Sequence, residues 1–237
     1  NKIWFHMDIL YQDDYYIAVN KPPNLLVHRS RLSEDRVFLL QQLRDHIGQR
    51  LYPVHRLDRA TSGVIVFGTT PEAAAALVDL FTRHQVQKNY LAIVRGYLPE
   101  QGVIDAPLQD LETNTGLQTA VTAYRNLGQT DFPHPIGKRY PSARYSLLDV
   151  TPQTGRRQQI RKHLAHIRHP ILGDKQHGDV KHNSYFRDHF GLERLFLHAR
   201  HLHFNHPFSG VPVHIGAALD EHFVKCLSIL NFNNTHI

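Results

Sequence analysis

The apolar residues of this chain come in short runs, and that restricts its architecture more than any other property. Tyr16-Ile-Ala-Val19 is stopped by Asn20-Lys21-Pro22-Pro23. Val64-Ile-Val-Phe67 follows Gly63, and Tyr90-Leu-Ala-Ile-Val94 ends before Gly96. Apolar runs this short, bounded by turn residues, read as buried strands. None approaches the roughly 18 residues a membrane span requires, and the chain opens on no signal-peptide pattern.

Helical periodicity is sparser. Residues 34–50 space Val37, Leu40, Leu43 and Ile47 three or four apart ahead of Gly48, which predicts a helix and its stop. Pro71 opens a second helix through Glu72, four alanines, Leu77 and Phe81. Ile160, Leu164 and Ile167 give the helical period to the segment Arg157–Arg168, and a last helix is expected over 219–230. Residues 118–125 and 143–151 look extended, with a Pro- and Gly-rich loop at 126–142 around Lys138-Arg139. From Leu195 to Asn205, Leu195, Leu197 and Ala199 alternate with Phe196, His198 and Arg200. Strands outnumber crossover-length helices and fall at irregular intervals. That favours an α+β fold with an antiparallel or mixed sheet over a doubly wound one. No repeat or linker divides residues 1–237, so a single domain is expected.

With 41% apolar and 20% charged residues, the composition is that of a globular chain. The single cysteine, Cys226, excludes an intramolecular disulfide and a multi-cysteine metal site. A soluble cytoplasmic protein is the expectation. Charge is unevenly distributed: residues 1–118 hold 12 basic and 13 acidic side chains, residues 119–237 hold 15 and 8. Nineteen histidines add to this, ten of them between His163 and His206. Such a basic half suggests a polyanion, nucleic acid first.

Three stretches could carry chemistry. His55-Arg56-Leu57-Asp58-Arg59-Ala60-Thr61-Ser62-Gly63 puts a carboxylate between two arginines in a loop before a buried strand, an arrangement that favours an ionised, nucleophilic oxygen. By local physics alone it is also a polar turn. Gly155 to His163 contains Arg156, Arg157, Arg161 and Lys162 with no acid, so one cation can face a carboxylate while others face phosphate. A solvated basic helix face fits equally. The spacings His163-x-x-His166-x-x-His169 and His198-x-x-His201-x-His203-x-x-His206 suit a three-ligand metal site poorly, because steps of three on a helix rotate the ligands apart. On a strand His201 and His203 share a face. No metal is expected, and phosphate contacts and surface packing are the roles left for these histidines. Tyr90, opening a strand after Lys88, is either a core ring or a platform for an extruded base.

Taken together, these residues resemble the RluA-type family of pseudouridine synthases. His55 to Gly63 matches that family's signature, joined in order by Asn20-Lys21-Pro22 with His28 and then by Lys88-x-Tyr90. Thr154-Gly155-Arg156 leads into Gln159-Ile160-Arg161-x-His163-Leu164, followed by His169-Pro170-Ile171-x-Gly173-Asp174. Leu195 to Ala199 and His206-Pro207-Phe208 complete the series. The resemblance implies the family's fold, with a mostly antiparallel mixed sheet, flanking helices and a central active-site cleft. It implies no cofactor, no membrane and no obligatory protein partner; a monomer is the default expectation, and no separate RNA-binding domain is expected ahead of the catalytic one. Asp58 takes the place of the nucleophile that promotes N-glycosidic cleavage, after which uracil rotates and rejoins ribose through carbon 5. Arg161 resembles the arginine paired with that aspartate, and Tyr90 the tyrosine stacked on the target base. Leu197, or else Ile160, supplies an apolar wall under the base. Arg56, Arg156, Arg157, Lys162, Lys138 and Arg139 are the expected RNA contacts. The run Gly173 to Asp179 with Asn183, and Val27 to Ser30, sharpens the resemblance toward a tRNA-modifying branch acting on uridine-65. His177 in that run, where other relatives often carry Tyr, is part of the likeness to this branch; one position departs from the common family pattern, Gln158, where many relatives carry His.

Overall fold

The computed structural model describes residues 8–27, 38–109, 116–137 and 140–232. The Lys138-Arg139 pair, His28 to Ser30 and the start of the helix expected from residue 34 lie outside them. In chain order the first elements are β1 (Ile9–Gln12), β2 (Tyr16–Lys21), α1 (Leu39–Ile47), β3 (Tyr52–Pro53), β4 (Ser62–Gly68) and α2 (Pro71–Thr82). Next come β5 (Gln87–Arg95), β6 (Gln101–Asp105), β7 (Leu108–Gln109), β8 (Leu117–Gln118), β9 (Val121–Phe132) and β10 (Ala143–Pro152). The last are α3 (Gln159–His166), α4 (Val180–Phe190), β11 (Leu197–Asn205), β12 (Pro212–Gly216) and α5 (Glu221–Ile229). The fold is α+β, and its strands pair mainly antiparallel.

The chain forms two compact units, Asn1–Lys88 with Ala199–Ala218, and Asn89–His198 with Leu219–Ile237. Strands β5 and β11 each begin in one unit and end in the other.

In the first unit β2 lies between β1 and β4, and β12 pairs with β11. Alternate residues Tyr16, Ala18, Val64, Val66, Leu202, Phe204, Val213 and Ile215 build one core with Ala73 and Leu77 of α2. The intervening Ile17, Val19, Ile65 and Phe67 are buried as well. Burial on both faces is why β2 and β4 read as unbroken apolar runs. Helix α2 begins where the sequence places it: Thr70 accepts a hydrogen bond from the Ala73 amide at its N-cap, and Pro71 occupies the first turn.

In the second unit β10 lies between β5 and β9, and β6 pairs on the far side of β9. Strand β9 runs to Phe132, so residues 126–132 are not the expected loop. Their polar composition suits a strand whose pairing shifts register opposite Leu147 and Leu148, and only Pro133 ends it. Helix α4 was not foreseen. Its sequence is polar and histidine-rich, with only His182 and Phe186 buried, yet Asp179 caps it by accepting from the Lys181 and His182 amides. At the start of β11 both of the alternating faces are covered, since Leu195 to Ala199 are all buried.

Candidate active site

The loop that carries Asp58 joins β3 to β4 and is fastened at several points. Lys21, at the end of β2, is fully buried, and its ammonium donates to the carbonyls of Pro22, Leu25 and Arg59 at 2.9, 2.8 and 3.0 Å. A buried ammonium is tolerated only when its donors are used in this way, and here one of them grips the residue after Asp58. The Thr61 amide donates to the Asp58 carbonyl at 3.1 Å, closing the turn. Next, Gly63 takes φ +112, and a Cβ there would lie 2.1 Å from the Ala199 carbonyl oxygen. Only glycine lets β4 pass β11 this closely.

His55 anchors the other side. Its Nε2 accepts a hydrogen bond from the Val66 amide at 3.1 Å, and its ring stacks on Phe81 at 4.7 Å. Burial, and secondarily the charge of Lys88, push its pKa down to about 3, so the ring is a neutral acceptor. Asp58 itself is half-buried, and Arg56 and Arg59 on either side are exposed. The scaffold thus holds the backbone of Asp58 while its neighbours reach solvent.

A second cluster belongs to the other unit. Arg161, on α3, is almost fully buried and binds Asp174 in two-point fashion, Nε to Oδ2 and Nη2 to Oδ1, both at 2.8 Å. Asp174 Oδ1 also accepts from the Gln176 and His177 amides at 2.9 and 3.0 Å. Burial alone would raise the Asp174 pKa, but the Arg161 and backbone hydrogen bonds outweigh it and hold the carboxyl below the usual range. The turn around Asp174 needs Gly173, where φ is +80 and a Cβ would meet the Arg194 carbonyl oxygen at 1.7 Å. This acidic partner of Arg161 is a feature the sequence reading missed.

Gln159 and His163 fix α3 from its buried side. Gln159 accepts from Thr154 Oγ1 and the Arg156 amide, and donates to the Val121 carbonyl and Thr122 Oγ1. His163 uses both ring nitrogens, toward Thr122 Oγ1 at 2.8 Å and the Ala106 carbonyl at 2.9 Å. Burial lowers its pKa, so it is a structural histidine.

The remaining expected site residues are distributed as follows. Tyr90 is half-buried on β5, opposite Val150 of β10. Ile160 and Leu197 are buried, at 6% and 3% exposure. Arg156 is exposed and donates to the Thr119 carbonyl, Lys162 reaches the Gln109 carbonyl at 3.4 Å, and Arg157 is half-buried. His203 and His214, directly opposed on β11 and β12, bring their Nδ1 atoms to 3.1 Å, with His201 packed against His214. Among the described residues no group of three His, Cys, Asp or Glu side chains is disposed to hold a metal ion. No described helix is long and apolar enough to cross a membrane.

A carboxylate on a glycine-tight loop, and a buried arginine on α3 paired with Asp174, on an antiparallel α+β scaffold, match a known class. The model of the RNA pseudouridylate synthase family matches residues 15–166. The chain belongs to that family and is a pseudouridine synthase of the RluA type, an isomerase. Within it the chain is closely related to tRNA pseudouridine synthase C. It is 46% identical to that protein of Vibrio cholerae over 232 residues, covering 94% of this chain and 95% of the relative. It is 45% identical to that of Salmonella typhimurium, covering 94% and 89%. Among solved structures, human RNA pseudouridylate synthase domain containing 4 superposes with a TM-score of 0.71 at 28% identity, over 94% of this chain and 93% of that one. Human RNA pseudouridylate synthase domain containing 1 shares the fold, with a TM-score of 0.69 at 21% identity over 96% of each chain.

Proposed function

We propose that this protein converts a uridine of tRNA, uridine-65, to pseudouridine, with Asp58 as the nucleophile and Tyr90 and Arg161 in the roles their motif positions imply. The observation that carries this reading is identity near 46% across almost the whole of both chains with tRNA pseudouridine synthase C. The loop geometry supports it: Lys21, Thr61, Gly63 and His55 fasten the chain around Asp58 at five polar or steric contacts of the backbone and ring. A nucleophile needs such pre-organisation, since misplacement by about 1 Å can cost roughly a hundredfold in rate.

The chemistry balances without an external group. The bond from N1 to C1′ is exchanged for one from C5 to C1′, the proton on C5 leaves, and N1 takes one up. A stacked uridine has to leave its helix before a side chain reaches C1′. Arg56, Arg156, Arg157 and Lys162 then contact the RNA backbone, while Leu197 or Ile160 backs the base. In this reading the protein works as a cytoplasmic monomer. The alternative target is a ribosomal RNA uridine or another tRNA position.

Pseudouridine mapping of all RNA from cells lacking this protein separates the targets. Loss confined to tRNA uridine-65 is expected; loss at a ribosomal position, with tRNA unchanged, would transfer the assignment to the alternative.

A further inference from the structure

Gln158 stands immediately before α3 with φ 54 and ψ 28, a left-handed conformation that is unfavourable for a residue other than glycine, asparagine or aspartate. Its side chain does not cap the helix it precedes. Backbone strain without a local return is compensated elsewhere, commonly at a working site. The compensation here is an amide held between two residues of the Asp174 turn. His177 Nε2 donates to Gln158 Oε1 at 2.9 Å, and Gln158 Nε2 donates to Gln176 Oε1 at 2.6 Å. Gln176 Oε1 in turn accepts from Arg161 Nη2 at 3.2 Å.

The sense of every bond in this series is fixed by its neighbour. With the ring proton of His177 on Nε2, the Gln158 amide has its oxygen toward His177 and its nitrogen toward Gln176. The Gln176 oxygen must then face both Gln158 and Arg161, because a flipped amide would set N–H against N–H. The backbone amides of Gln176 and His177 bind Asp174 Oδ1, the same oxygen that Arg161 Nη2 reaches. The ring of contacts therefore closes on the guanidinium. Asp174 sets its plane, and Gln176 adds a third point that opposes swing of Nη2.

We propose that Gln158, Gln176 and His177 are positioning residues for the pseudouridine reaction, a side-chain relay that fixes the orientation of Arg161. This rests on the role of Arg161 proposed above. Gln158→Met and Gln176→Met keep side-chain length and remove the relay. Each is expected to lower kcat on tRNA about tenfold, with KM and melting temperature near the wild-type values. The double variant is expected to be no slower than the worse single one, since both break one series. Unchanged kcat, additive losses, or a fall in kcat matched by a fall in melting temperature would overturn the relay. A second readout does not depend on turnover: the Nε–H resonance of Arg161, assigned by its loss in Arg161→Lys, should shift in both variants. If the wild-type protein makes no pseudouridine on tRNA, the functional reading fails and this resonance decides the relay. A shift sustains it, and an unmoved signal removes it.

Discussion

Lys21 is a cation used for its donors. Three carbonyls converge on its ammonium inside the first unit, and one belongs to the residue after Asp58. Lys21→Met keeps the bulk and leaves those carbonyls without that donor, which should cost about 3 kcal/mol or more. Urea unfolding would register this as a lower midpoint, and pseudouridine formation should fall with it. Gly63 gives a sharper outcome. Its φ of +112 and the 2.1 Å approach to Ala199 leave no room for a methyl group, so Gly63→Ala should destabilise by more than about 3 kcal/mol or abolish soluble expression. A wild-type midpoint for that variant would mean the loop is not held as described. Exposed Arg56 belongs to a different regime. Since Arg56 is proposed to contact phosphate, Arg56→Ala should weaken tRNA binding and reduce the slope of log affinity against log salt by roughly one. Filter binding at several salt concentrations measures it.

Elements whose identity is written locally were legible in the sequence. Strands β2, β4 and β5 are apolar runs bounded by turn residues, and α2 has its threonine cap, its proline and its alanines in order. Other elements depend on partners that the linear sequence does not display. The second half of β9 is too polar to read as a strand, and exists because apolar β10 supplies its pairing. Helix α4 lacks a clear apolar stripe and owes its start to Asp179, which also binds Arg95 at 2.5 Å. Asp179→Ala should therefore cost about 1–2 kcal/mol, more than a surface cap alone, and hydrogen exchange over 180–190 should rise. The candidate site divides in the same manner. The segment from His55 to Gly63 is contiguous and could be singled out from the residues alone. The pairing of Arg161 with Asp174 spans 13 residues and a turn, and the amide of Gln158 meets residues 18 and 19 positions away. No periodicity encodes such contacts.

At the scale of the whole molecule, histidines kept neutral by desolvation set the response to acid. Burial lowers the pKa of His55 to about 3 and that of His182 to about 4, and lowers that of His163 as well. Each is depressed relative to the unfolded chain. The stability they contribute is complete above the unfolded value, near 6.5, and is lost as pH falls toward the folded values. Between pH 7 and pH 5 His55 and His182 should each remove about 2 kcal/mol from the unfolding free energy, and His163 acts in the same direction. Urea midpoints across that interval should fall, and His55→Gln should flatten the fall. An unchanged slope in that variant would show that His55 titrates normally in the folded protein.

The nucleophile proposed for the isomerisation is the carboxylate of Asp58. The most direct test of that role is site-resolved detection of pseudouridine at tRNA uridine-65 with purified wild-type protein and Asp58→Ala, at concentrations where both bind the tRNA fully. Stoichiometric conversion is expected from the wild type and none from the variant, with tRNA affinity within a few-fold between them. Conversion by Asp58→Ala at the wild-type rate would remove Asp58 from that role.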